Sequence, residues 1–191
     1  MAVVQELAGP GLRAVCYPDA VPITGFEAMS KIRVLMVCLG NICRSPMAHG
    51  VFEARVREHG LADAIEVDSA GTAGYHIGAQ ADRRARQEAR SRGYDLEHLR
   101  ARQLEPEDFL EFDYILTMDD ANFRNAERIR PDNARAELLR FLDFAPGSGE
   151  TEVPDPYYGG DEGFAHVMDL VEKGADGLME HIRSRHALRA S

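Results

Sequence analysis

Ile32 to Val37 (IRVLMV) carry a single polar side chain among six residues. Such a run suits a strand buried on both faces of a parallel sheet, where neither side of the pleat meets water. The period then changes. Residues 46–59 read as a helix, and Ala64 to Val67 as a second strand closed by Ser69-Ala70-Gly71. Residues 79–92 read as a helix that Gly93 stops, as a glycine cap does. Phe112 to Met118 (FDYILTM) predicts a third strand, residues 120–130 a helix ending before Pro131, and Leu138 to Phe141 a short fourth strand. Residues 145–160 are rich in Pro, Gly and Asp and read as a loop. Residues 161–184 place Phe164, Val167, Met168, Val171, Leu178 and Ile182 at helical spacing. Strands alternating with helices predict an α/β domain over residues 31–188, with a doubly wound parallel sheet and right-handed crossovers. Residues 1–30 show no sustained period and read as a disordered extension, with Met29-Ser30-Lys31 resembling an ordinary start.

Composition changes this picture only by exclusion. The chain has 191 residues, enough for one such domain with a real core. No window approaches the run of about 18 apolar residues a membrane helix needs. The N-terminal residues lack the basic and apolar regions of a signal peptide. A net charge of -10 argues against a nucleic-acid partner, so any anion site must be local and built against the global field. Cys16, Cys38 and Cys43 are too few and too badly spaced for a disulfide framework, and a reducing, cytoplasmic setting fits best.

In open parallel sheets, ligands bind at the C-terminal ends of the strands. The first strand is followed at once by Cys38-Leu39-Gly40-Asn41-Ile42-Cys43-Arg44-Ser45-Pro46. Ser45 and Pro46 read as N-cap and first helical residue. That helix would aim its free amides and positive dipole end back at the loop. With Gly40 allowing the chain to curl, successive N–H groups can converge on one tetrahedral anion. Arg44 adds a planar fork for two phosphate oxygens, and Cys38 lies at the floor, in a field that favours the thiolate. Together these parts describe nucleophilic attack on a phosphate ester, with amides and guanidinium stabilising the equatorial oxygens. Cys38 and Cys43 lack the second ligand pair of a structural zinc site, and no Gly-Lys-Ser/Thr marks an ATP-binding loop.

A tyrosinate leaving group needs a proton donor. The candidate is Asp155 in Asp155-Pro156-Tyr157-Tyr158-Gly159-Gly160, where proline limits the backbone and two tyrosines can wall a slot for an aromatic ring. The same segment could be turn chemistry alone. His49, one turn into the first helix, reads as a surface or packing residue. Arg83, Arg84, Arg86 and Arg90 read as a solvated helix face.

VCLGNICRSP and DPYYGG, with DYILTMD (Asp113 to Asp119) as a third and weaker motif, resemble the low-molecular-weight protein tyrosine phosphatases over about residues 31–184. The resemblance implies a single three-layer α/β domain, with a four-stranded parallel sheet, helices on both faces, and neither metal nor cofactor. It implies Cys38 as nucleophile forming a phosphocysteine, Arg44 as phosphoryl ligand, and Asp155 as acid and then base. Leu39, Gly40, Asn41, Ile42, Cys43 and Ser45 would surround the phosphate, with Ser45 steadying the thiolate and Asn41 holding the loop with help from Ser69. Tyr75, Tyr157 and Tyr158 would line the substrate slot, and the partners would be phosphotyrosine proteins or peptides. Leu99 stands where the family usually has a His supporting the Asn–Ser network; His98 is shifted by one and reads as a surface residue. Arg83 stands where relatives often have Pro. Three rivals remain. An arsenate reductase would need cysteines after Cys43, a protein arginine phosphatase would have a residue resembling Thr at the position of Ile42, and a phosphopeptide-binding module would keep the cradle but have no need of both Cys38 and Asp155.

Overall fold

β1 (Ile32–Cys38) lies inside a four-stranded sheet of order β2-β1-β3-β4, completed by β2 (Ile65–Gly71), β3 (Tyr114–Thr117) and β4 (Glu137–Arg140). All three pairings are parallel. The coordinates are a computed structural model and describe residues 31–157 and 159–188. The extension at residues 1–30, Cys16 and Tyr158 lie outside the described residues. The continuous apolar run of β1 has the expected cause. Val34 and Met36 enter one core, while Leu35 and Val37 enter another on the opposite face. The first core is closed by α1 (Arg44–Glu58), α2 (Arg83–Ser91) and α5 (Asp161–Arg185), which pack on one another. The second is closed by the short α3 (Asp108–Glu111) and by α4 (Asp120–Ile129), through Phe109 and Ala126. The chain leaves β1 toward β2 and then crosses to β3 on β1's other side. The C-terminal ends of β1 and β3 therefore flank the point where strand order reverses, the usual position of a ligand crevice.

Three local expectations are corrected. The helix after the loop starts at Arg44, with Cys43 in the cap position, so Ser45 and Pro46 sit inside its first turn. Proline is tolerated there because first-turn amides have no intrahelical acceptor. The second helix starts at Arg83 rather than 79. Ala79 and Gly78 are tied to Ala101 by backbone bonds of 2.8 and 2.7 Å, and Asp82 then caps the helix by accepting from Arg84 N–H at 2.7 Å. Phe141 does not continue β4. It opens a 3-10 turn, Phe141–Phe144, whose Phe141 ring lies against Gly174 of α5 so closely that an added Cβ would stand 2.3 Å from it.

Candidate active site

Cys38 ends β1 and is 3% exposed, at the base of a cavity of about 350 Å3. The loop that follows turns at Asn41, whose φ of 54° is left-handed. Gly40 is not the left-handed residue; its constraint is space, since a Cβ there would meet His76 Cδ2 at 3.0 Å. Asn is among the side-chain residues that tolerate this conformation best. Its turn aims its own N–H at Cys38 Sγ, 3.3 Å away. The Asn41 side chain then fixes the loop from behind. Its amide donates to Ser45 Oγ at 2.9 Å, and its carbonyl oxygen accepts from Arg102 N–H at 2.9 Å. Ser45 Oγ lies 3.0 Å from Cys38 Sγ. Ser45 is thus a partner of the sulfur, not a helix cap. Gly71 lets β2 pass directly beneath, where a Cβ would stand 2.8 Å from Leu39 O.

Arg44 is 3% exposed and its guanidinium is held from three sides. Nη1 donates to Asp119 Oδ2 and to Val153 O (3.1 Å), and Nη2 donates to Asp155 Oδ2 at 2.8 Å. Burial opposes its charge, but Cys38, Asp119 and Asp155 outweigh that and hold it above the ordinary guanidinium value. Asp119 is a site residue that sequence reading passed over. Its other oxygen accepts from Asn122 N–H at 2.7 Å, so one carboxylate both caps α4 and orients Arg44. The sequence signal was an Asp just before a helix, which by itself reads only as a cap.

The cavity brings together most of the residues singled out from sequence. Cys38, Leu39, Gly40, Ile42, Cys43 and Arg44 meet Tyr75, Asp155 and Tyr157 around it, and His76 joins them unforeseen. Tyr75 is 78% exposed at its rim. Arg84 corrects the reading of a solvated basic face. Its guanidinium donates to Tyr157 O (3.1 Å) and Gly159 O (3.2 Å) and lies 4.7 Å from the Phe164 ring centroid, binding the acid-bearing loop to α2. Arg86 and Arg90 also have a fixed partner, Glu97.

Ser69, expected to help hold the Asn41 loop, has its hydroxyl 3.3 Å from His49 Nδ1. His49 is buried, in keeping with the packing reading, and burial pushes its pKa down to about 4, against the pull of Asp68 and Glu53. Leu99, where the family usually has a His, is itself a buried core residue. His98 is half exposed, as a surface residue should be.

A model of the family described as low molecular weight phosphotyrosine protein phosphatase matches residues 33–188. The chain belongs to that family. Among its relatives is a low molecular weight protein-tyrosine-phosphatase of Streptomyces coelicolor, 43% identical over 162 residues, covering 83% of this chain and 98% of the relative. Another is a low molecular weight phosphotyrosine protein phosphatase of Schizosaccharomyces pombe, 45% identical over 70% of this chain and 86% of the relative. A crystal structure of a protein tyrosine phosphatase from Entamoeba histolytica superimposes with a TM-score of 0.78 at 39% identity, over 83% of this chain and all (100%) of that one. The four-stranded parallel sheet with flanking helices is the family's fold in this chain.

The two described cysteines should differ in reactivity. Burial, then the charges of Asp82, Cys38 and Asp155, pushes the Cys43 thiol well above its ordinary value. Cys38 opens on the cavity beside the helix N-terminus and Arg44. Iodoacetate at about pH 6 is expected to label Cys38 and leave Cys43 unmodified, as read by mass spectrometry of digested protein. Equal labelling of the two would contradict the site.

Proposed function

We propose that this protein hydrolyses phosphotyrosine in proteins or peptides through a phosphocysteine formed on Cys38. The observation that carries this reading is the convergence on one cavity of Cys38 and Arg44, from a single short loop, with Asp155, from a segment more than 100 positions away. Cys38 Sγ attacks phosphorus and the bond to the tyrosine oxygen breaks. Asp155 delivers a proton to that oxygen, so tyrosine leaves as the neutral phenol. Asp155 then takes a proton from a water that attacks the S–P bond, which releases phosphate and returns the thiolate. The amides of residues 39–45 and the Arg44 guanidinium hold the three equatorial oxygens. In the structure Asp155 occupies Arg44 Nη2, and a phosphoryl oxygen entering the cavity competes for that donor. Asp119 and Val153 O keep the guanidinium in place during the exchange. Ser45 and the Asn41 amide stabilise charge on the sulfur.

Substrate choice follows from depth. Cys38 is 3% exposed while Tyr75 and Tyr157 around the same cavity are 78% and 40% exposed, an arrangement in which a long aromatic side chain reaches the sulfur and a short phosphoserine does not. The rim rings stack on the substrate ring, a contact worth about 0.5–1.5 kcal/mol beyond burial. Ile42 adds apolar surface that suits a ring better than a guanidinium stem. Chemistry that depends on a free thiolate favours a reducing, cytoplasmic compartment. Among the described residues, no helix is long and apolar enough to cross a membrane. The test is a parallel steady-state assay on phosphotyrosine, phosphoserine and phosphoarginine peptides. Phosphotyrosine is expected to dominate, Ile42→Thr to raise the phosphoarginine share, and Tyr75→Ala to lower kcat/KM for phosphotyrosine peptides more than for small alkyl phosphates. Equal wild-type rates on all three peptides would overturn the tyrosine assignment.

A further inference from the structure

His49 and Glu53 stand one turn apart on α1, at the spacing that places two side chains on one helix face. His98, in the turn before Leu99, comes up beside them. One ligand atom from each of the three lies within 4.8 Å of the other two. Glu53 Oε2 and His98 Nε2 are already 3.4 Å apart. Donors bound tetrahedrally to zinc at about 2.0–2.1 Å stand about 3.3–3.4 Å from one another, so this pair needs no movement to share an ion. The rings of His49 and His98 are nearly perpendicular, with centroids 6.2 Å apart.

We propose that His49, Glu53 and His98 form a binding site for a divalent transition-metal ion of the zinc class, with a fourth position open to water. Two imidazoles and one carboxylate are the donor set that suits zinc rather than calcium or magnesium, which prefer all-oxygen shells. His49 is built as a ligand. The Ser69 hydroxyl, 3.3 Å from Nδ1, can accept the ring proton and leave the lone pair on Nε2 for the ion. Glu53 and His98 are partly exposed and free to close the remaining distance. Glu53 also pairs with the exposed Arg57 at 3.0 Å, an ion pair of the kind that contributes little and that a metal can displace.

The site is separate from the catalytic cavity, which none of the three residues lines. It lies behind the phosphate loop. Ser69 on β2 contacts His49, and the segment carrying His98 runs on to Arg102, whose N–H holds Asn41. A bound ion would clamp α1 to that segment and stabilise the fold without entering the reaction.

The test removes the competing catalytic thiol first. Zn2+ is titrated into the full-length Cys38→Ser chain by isothermal calorimetry, and melting temperature is measured with and without Zn2+. The expected result is one zinc ion per chain, a raised melting temperature, and a loss of affinity of at least about tenfold when His98→Ala or Glu53→Gln is added. Both added substitutions are at partly exposed positions, so the metal-free melting temperature should stay unchanged and report that the chain is folded. Absence of Zn2+ binding, or binding that neither substitution weakens, would overturn the proposal.

Discussion

Replacing Cys38 by serine is expected to lower phosphotyrosine turnover by about 10⁴-fold or more while leaving phosphate binding measurable. The loss is large because no other group can form the covalent intermediate. Cys43, on the same loop, is buried with its thiol pushed up and cannot substitute. Binding survives because the cradle does not depend on the sulfur. The Asn41 turn is pinned by Arg102 N–H, Arg44 is pinned by Asp119 and Val153 O, and the amides belong to the backbone. Phosphate or vanadate titration of the variant checks this directly. Loss of anion binding along with turnover would show that Cys38 shapes the loop, and would remove the evidence for a separate chemical role.

Replacing Asp155 by alanine is expected to slow phosphotyrosine hydrolysis by about 10²–10⁴-fold, the usual worth of a positioned proton donor. The loss should shrink for aryl phosphates with more acidic leaving groups, because those depart without the proton. Asp155 is the only one of the two carboxylates on Arg44 that also lines the cavity; Asp119 faces the cap of α4. Asp119→Asn should therefore behave differently. It removes the charge that orients Arg44, so its loss should be nearly constant across leaving groups. A leaving-group series measured on both variants separates the two roles. A uniform loss for Asp155→Ala would make that residue structural.

The parts of this site that lie close in sequence were legible, and the parts made by distant contacts were not. β1 could be read because burial on both faces leaves no polar alternation, and Val34 and Leu35 do enter opposite cores. The order strand, Cys38, loop, Arg44, helix could be read because one short segment contains it. The start of α1 was misplaced because Ser-Pro is a good helix opening on local grounds, while the Ser45 hydroxyl is taken by Cys38 and Asn41. The start of α2 was set too early because Ala79 and Gln80 favour a helix, but their segment is held against Ala101 by backbone hydrogen bonds. Asp119 and Arg84 were missed for the same reason. Each had an adequate local reading, as a cap or a solvated charge, and each gains its role from a partner more than 70 positions away. The partner of Ser69, His49, is a lone helical histidine in sequence, and only the fold sets it against β2.

The most direct test of the mechanism is an acid quench of the wild-type enzyme during turnover of a phosphotyrosine peptide, followed by digestion and mass spectrometry. A phosphate is expected on the peptide containing Cys38, present at early times and gone when substrate is exhausted. Steady hydrolysis with no phosphate ever found on Cys38 would contradict it.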